Sequence, residues 1–377
     1  MYVGRAQTPK DLIAALELAT RIFHPADCLT KEAIEDKKHL MSPLEAISHN
    51  DAVILKNDAG RISGVCFLVD REFYRNKRKV KGTFLTAICI EESSRGRGLS
   101  RMLMNATIAE CERRGADFAI LIARRSVDHF YNQFSFWGLS QYGRVDVRLA
   151  GKLPATDYLI SPATTEDLEA VSRQHETTYS DLYGSCVRPL DYWKHMLWRT
   201  EKQRRTFVTF RRQDRIFGYV IFSGSHLHEI ASAPDVSCLE LLEELGRKYS
   251  LREASVKCSR DHPLIGELCH VEFSITQRQC HYGGHMVRVI DRGVLFDHLI
   301  EEIRSDFAAV GAGDCREVHG DWVIEARNGK VSLTFSGSPY TYRNTCFLMG
   351  AEYLCGMPRQ PSAYKPRSFN LLLDDEA

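Results

Sequence analysis

At 377 residues the chain is too long for one ordinary domain and is expected to fold as two or three. Its 50 basic and 49 acidic residues nearly cancel, so no global field recruits nucleic acid or a membrane surface. No run approaches the ~18 apolar residues of a spanning helix, the N-terminus has no apolar signal core, and 12 cysteines form no C-x-x-C pair, so a cytoplasmic protein with reduced thiols is expected.

In chain order, Thr8 in "TPKDLIA" (8–14) is placed to cap a first helix, and "DAGR" (58–61) reads as the turn of a strand pair. The basic run "YRNKRKVK" (74–81) reads as a solvated hairpin, because no aromatic platform for nucleic acid accompanies it. Next, "FLTAICI" (84–90) is apolar and β-branched without a breaker, the pattern of a buried strand. From Leu99 the apolar residues Met102, Leu103, Ala106 and Cys111 recur every three or four positions until Arg113, Arg114 and Gly115, which predicts a helix with a basic last turn.

Between strand and helix lies "EESSRGRGLS" (91–100). A glycine turn leading into a helix exposes unpaired N–H groups at the positive end of the helix dipole, and is therefore an anion site. Two arginines suit it to a pyrophosphate. The Rossmann G-x-G-x-x-G fails here because Arg101 stands at the third glycine, and the chain has no P-loop G-K-[ST]. What the stretch resembles is the acetyl-CoA motif of the GCN5-related N-acetyltransferases (GNAT), [QR]-x-x-G-x-[GA] after a strand and before a long helix. Arg95, Gly96, Arg97, Gly98 and Leu99 fit, and Ser100 replaces the usual Gly or Ala.

After the predicted strand "DFAILIA" (117–123), "SVDHFYNQFSFWGLSQYG" (126–143) resembles the family's FY-x-x-[FL]-G-F segment, with Ser135 at the glycine. The resemblance implies that Tyr131 protonates the departing thiolate. It further implies that Ile88, Cys89 and Ile90 hold the acetyl oxygen and pantetheine, that Arg95, Gly96, Arg97, Gly98, Leu99, Ser100 and Arg101 hold the pyrophosphate, and that Ser126 and Val127 line the pantetheine. Read from residue type alone, the aromatics of this segment could equally be core.

Two echoes at nearly one offset, "TPKDLIA" with "TTEDLEA" (164–170) and "RISGV" (61–65) with "RIFGY" (215–219), predict tandem copies of one fold at 1–150 and 151–285, joined by "GKLPATDY" (151–158). The second copy has "IASAPDVSCLELLEELGRKY" (230–249) where the anion turn should be, and Asp235 there would compete with phosphate for the helix N-terminus, so this copy is expected to be silent. From 286 the pattern changes to strand, helix, an Asn-Gly hairpin at 328–329, and a helix. This order resembles the Eis (enhanced intracellular survival) family, in which a sterol-carrier-protein-like domain follows two GNAT domains. The expected fold class is thus α/β (α+β), with two tandem GNAT-like mixed-sheet domains and a C-terminal α/β domain at 286–377.

Cys258, His262, Cys269, His270, Cys280, His281 and His285 crowd one region, but their spacing fits no zinc pattern, and no metal is expected. No G-x-S-x-G elbow is present for a serine hydrolase. The function expected from the resemblance is transfer of an acetyl group from acetyl-CoA to a primary amine of a small molecule or a lysine side chain. The alternative is a non-catalytic acyl-CoA or lipid binding protein. In Eis-type enzymes the terminal carboxylate acts as base, which by position would be Ala377; Asp374, Asp375, Glu376 or water could serve instead. Glu32, Glu35, Asp36, Asp70 and Glu72 hint at a cationic acceptor, and the family implies a homo-oligomer, possibly a hexamer.

Overall fold

Thr8 starts the first helix as its sequence requires. Its hydroxyl accepts the Asp11 N–H and the Asp11 carboxylate accepts the Thr8 N–H, a reciprocal cap. Thr164 and Asp167 repeat the device in the second copy.

The structure, a computed structural model, describes residues 1–349 except 27–29, 42–45, 76, 125, 140, 150, 152, 259–260, 269–270, 280–283, 310–312, 329 and 339. In chain order the first elements are β1 (Tyr2–Arg5), α1 (Pro9–Phe23), α2 (Lys31–Met41), β2 (Ala52–Lys56), β3 (Ile62–Arg75), β4 (Arg78–Ile90), α3 (Leu99–Arg113), β5 (Phe118–Ala123), α4 (Asp128–Asn132), β6 (Trp137–Gly138) and β7 (Gln141–Arg148). The middle of the chain supplies β8 (Leu159–Pro162), α5 (Leu168–Tyr179), α6 (Leu190–Lys202), β9 (Thr206–Arg212), β10 (Arg215–Ser223), β11 (His226–Ser232), α7 (Cys238–Tyr249), β12 (Glu253–Cys258) and α8 (Pro263–Glu267). Last come β13 (Phe273–Gln279), β14 (Gly284–Val289), α9 (Arg292–Ala309), β15 (Cys315–His319), β16 (Trp322–Arg327), β17 (Lys330–Phe335) and α10 (Tyr342–Leu348).

Two large mixed sheets and a small antiparallel one result. Their orders are β1-β2-β3-β4-β5-β14-β6, β13-β7-β12-β11-β10-β9-β8 and β15-β16-β17. In each large sheet a parallel pair, β4 with β5 and β11 with β12, sits among antiparallel ladders. Two strands cross the divisions expected at 150 and 285. β7, from the end of the first stretch, pairs with β12 and β13 in the second sheet, and β14, from the start of the third, fits between β5 and β6 in the first.

One apolar cluster joins the three stretches on a single face of the first sheet. It takes Leu12, Leu16 and Ala19 from α1, Phe67, Val69, Phe73 and Phe84 from β3 and β4, Tyr183 and Cys186 from the middle of the chain, and Leu299, Ile303, Trp322 and Ile324 from the last part. The opposite face is covered by α3 through Leu103, Met104, Ile108 and Cys111. The basic run at 74–81 does form the β3–β4 hairpin, but it is not all solvated. Arg75 is fully buried and donates to Glu302 of α9 at 2.7 Å.

Candidate active site

The site begins where β4 leaves its neighbours. The parallel ladder with β5 ends at Leu85 and Leu121, while β4 continues to Ile90. On its other side, Val65 pairs with Cys89 and Phe67 with Thr86, so β4 carries one residue more than β3 between these rungs. This bulge, with Ala87 at φ 50°, bends the strand, and residues 87–90 lie beyond the end of the ladder with β5. The result is a cleft of about 870 Å³ between β4, the end of α1, the turn before α3, and α4.

At one end of the cleft Gly98 is the N-cap of α3, at φ 74° and ψ 3°, and no side chain caps the helix. Gly96 is at φ 75°, and a Cβ on either glycine would meet no atom within 4 Å. The left-handed backbone favours glycine, and the open space leaves the first N–H groups of a 15-residue helix accessible to an anion. Arg95 lines the same space, and its Nε–H donates to the Ile90 carbonyl at 3.3 Å.

Tyr131, in α4, faces the cleft from the other wall and is 8% exposed. Burial first, and the nearby Cys66 and Cys89 thiols after it, push its phenol up to about 12, so it keeps its proton at neutral pH. Cys89 lies in the same floor, but burial pushes its thiol up to about 12 against the pull of Arg95, which leaves it an inert thiol rather than a nucleophile. Ser135, at the position where the related motif has glycine, is at φ 61°, which accounts for the glycine preference there.

Over residues 4–139 the sequence matches the model of one family, the acetyltransferase (GNAT) domain. That match covers most of the first unit. Solved structures extend the likeness across the chain. A GCN5-related N-acetyltransferase from Anabaena variabilis is similar with a TM-score of 0.64 at 11% identity, over 89% of this chain and 86% of that one. Eis1 from Mycobacterium abscessus gives 0.59 at 14% identity, over 98% and 97% of the two chains, and a GCN5-related N-acetyltransferase from Kribbella flavida gives 0.59 at 18%, over 88% and 83%. At these identities the likeness is one of fold. No curated protein matches the chain.

Within the first unit the cleft brings together Ile88, Cys89, Ile90, Arg95, Gly96, Gly98, Leu99, Ser100, Val127 and Tyr131. Arg97 and Ser126 are exposed outside its lining. Arg101 also lies outside; its Nη2 donates to Gln133 at 2.6 Å and its guanidinium stands 5.9 Å from the Phe134 ring, so it braces α3 against the segment after Tyr131. Ala377 and the acidic residues beside it lie outside the described residues. Sequence reasoning missed Ala19 and Phe23 of α1, His24 at the C-cap of that helix, Lys37 of α2, and Arg124, all of which line the cleft. Only the amphipathic pattern of α1 could have pointed to the first of these.

Of the five acidic residues singled out from sequence, none lines the cleft, and four are engaged in ion pairs. Asp70 pairs with Arg114 at 3.0 Å, Glu72 with Lys79 at 3.2 Å, Glu35 with Lys38 at 2.6 Å and Asp36 with Lys202 at 3.0 Å. No Asp or Glu is among the described residues that line the cleft, whereas Lys37, Arg95 and Arg124 are.

In the second unit the matching helix terminus is already filled. Ser237 Oγ accepts the N–H groups of Leu239 and Glu240, and the Glu267 carboxylate accepts the Leu239 N–H at 2.8 Å. The internal anion is thus Glu267, not Asp235, which pairs with Arg215. Among the described residues no group of three or more His, Cys, Asp or Glu is placed to hold a metal. His262 instead caps α8, its Nδ1 accepting the Leu264 N–H at 3.2 Å. Cys269, His270, Cys280 and His281 lie outside the described residues.

Proposed function

We propose that the first unit transfers an acetyl group from acetyl-CoA to a primary amine. The observation that carries this is the sharing of one cleft by an uncapped glycine turn, an unladdered strand edge and a protonated tyrosine. The turn would hold the pyrophosphate and the edge of β4 the pantetheine and thioester oxygen. A neutral amine attacks the thioester carbonyl, forming C–N. As the tetrahedral species collapses, C–S breaks, Tyr131 delivers its proton to the sulfur, and the ammonium formed loses one to a base. Backbone N–H groups at the bulge would stabilise the oxyanion.

The Eis-like reading adds a sterol-carrier-protein-like third domain, a silent second unit, a cytoplasmic homo-oligomer and a base at the Ala377 carboxylate. The occupied terminus of α7 supports silence of the second unit. A binding protein without activity would have no need of a proton donor in the cleft, which favours the enzyme. The test is release of free CoA, read with a thiol reagent, from acetyl-CoA and a panel of amines. Release no faster than hydrolysis with every amine would overturn the reading. Deleting 374–377 should slow turnover far more than it weakens acetyl-CoA binding, and full activity after the deletion would remove the tail as base.

A further inference from the structure

The first and second units meet beside the α1–α2 end of the cleft, and a basic cluster is buried there. Arg71, on β3, is 6% exposed, and its Nε and Nη1 have no hydrogen-bond partner. Its guanidinium stands 5.7 Å from the centroid of Phe84, a residue lining the cleft, and 5.3 Å from that of Tyr192 on α6. Rings attract the cation but accept nothing at its N–H edges, so the donors remain unsatisfied. An unmet buried donor costs ~1–3 kcal/mol, more when charged, and calls for an explanation.

One turn along α6 from Tyr192, His195 also leaves its Nε2 buried without a partner. Burial pushes the His195 imidazole down to about 4, and the charges that act on it after burial are Arg199, Arg71 and His39, all basic. The acidic groups on the elements packed there are paired: Asp70 and Glu72 beside Arg71 with Arg114 and Lys79, Asp36 of α2 with Lys202, Asp191 of α6 with Lys194, and the buried Glu229 with Arg188, whose guanidinium faces the same Tyr192 ring.

We propose that Arg71, held between the rings of Phe84 and Tyr192 where Phe84 lines the cleft, binds an anionic group, carboxylate or phosphate, carried by the acceptor amine. This rests on the acetyl-transfer reading above. It names a substrate class, an amine with an acid group at a fixed distance, and disfavours polycations, for which the cleft offers no lining carboxylate among its described residues. Arg71 acts on specificity and takes no part in the chemistry.

The test compares matched acceptors: an amino acid against its decarboxylated amine, and phosphoethanolamine against ethanolamine. The anionic member of at least one pair should be favoured about tenfold or more in kcat/KM, through KM, and the pair that shows it separates carboxylate from phosphate. Arg71→Gln should erase the preference and leave the KM for acetyl-CoA unchanged. Should that variant not fold, Arg71→Lys carries the same test, since it keeps the charge and loses the planar fork. Equal or better turnover of the non-anionic members, or a variant that slows both members alike, overturns the proposal. If the protein binds acetyl-CoA but acetylates no amine, the transfer reading fails by itself. Calorimetry with glycine and with inorganic phosphate on the CoA-bound protein then decides the role of Arg71. Binding lost in Arg71→Gln upholds it; no binding, or binding unchanged by the substitution, overturns it.

Discussion

Arg75 donates from Nε and Nη2 to the two carboxylate oxygens of Glu302, at 2.7 and 3.3 Å, with both side chains almost wholly buried. The pair ties the β3–β4 hairpin to α9, and the Arg75 guanidinium also stands 5.2 Å from the Tyr183 ring. Breaking such a pair leaves a buried charge uncompensated, so Glu302→Gln should cost about 3–5 kcal/mol in denaturant unfolding. Replacing both partners, Arg75→Met with Glu302→Leu, should cost less than the single change. A single variant within 1 kcal/mol of wild type would mean that the pair is not formed.

Gly96 and Gly98 hold the turn open to an anion. Gly98→Val would force a β-branched residue into the left-handed region, and Gly96→Asp would place a negative charge beside the phosphate. Both should lose acetyl-CoA binding by about tenfold or more in calorimetry while the far-UV spectrum stays the same. Unchanged affinity in both would remove the turn from the cofactor site.

The turn was legible because its signals are local: an apolar strand, glycines, and an amphipathic helix within thirty residues of each other. The caps at Thr8 and Thr164 were legible for the same reason. What escaped is decided by contacts distant in sequence. A strand pattern does not name its partner, so the exchange of β7 and β14 between sheets could not be read. The bulge at Ala87 carries no glycine or proline to mark it. Charge in a sequence reads as solvated, which hid the burial of Arg71 and Arg75. Glu267 reaches the α7 terminus from thirty residues away in sequence.

Ser135 sits at φ 61°, a conformation that costs a residue with a Cβ roughly 1–2 kcal/mol relative to glycine. Ser135→Gly regains that strain but also loosens the unfolded chain, so the net gain should be about 0.5–1 kcal/mol. The change should raise the melting temperature without altering the KM for acetyl-CoA. A destabilised glycine variant would show that the hydroxyl has a role of its own.

His262 couples the second unit to acid. Its Nδ1 accepts the Leu264 N–H and its Nε2 lies 3.3 Å from the Ile230 carbonyl, an arrangement that suits the neutral Nε2–H tautomer. Burial pushes it down from 6.5 to about 4. A depressed pKa means that its stabilisation is complete above pH 6.5 and is lost as pH falls toward 4, up to about 3 kcal/mol. His175, also fully buried, shifts in the same direction. His262→Asn keeps a cap without titrating, so it should shrink the loss of stability between pH 7 and pH 4.5. An acid transition identical to that of wild type would exclude His262 as its source.

Tyr131 is where binding and chemistry should separate. Its hydroxyl has no hydrogen bond to any described residue, so Tyr131→Phe removes little from the folded state, and stability at pH 7 should stay within about 1 kcal/mol. The rate should fall ~10²–10⁴-fold, because the thiolate loses its proton donor, while the acetyl-CoA affinity holds. Because the folded phenol is raised to about 12, the donor stays protonated throughout the working range. The wild-type rate should therefore rise with pH as the amine loses its proton, with no fall that depends on Tyr131 below about pH 10. The sign for stability is the converse of that for His262: the raised pKa stabilises fully below 10 and is lost between 10 and about 12. A phenylalanine variant that turns over as fast as wild type would make Tyr131 a packing residue only.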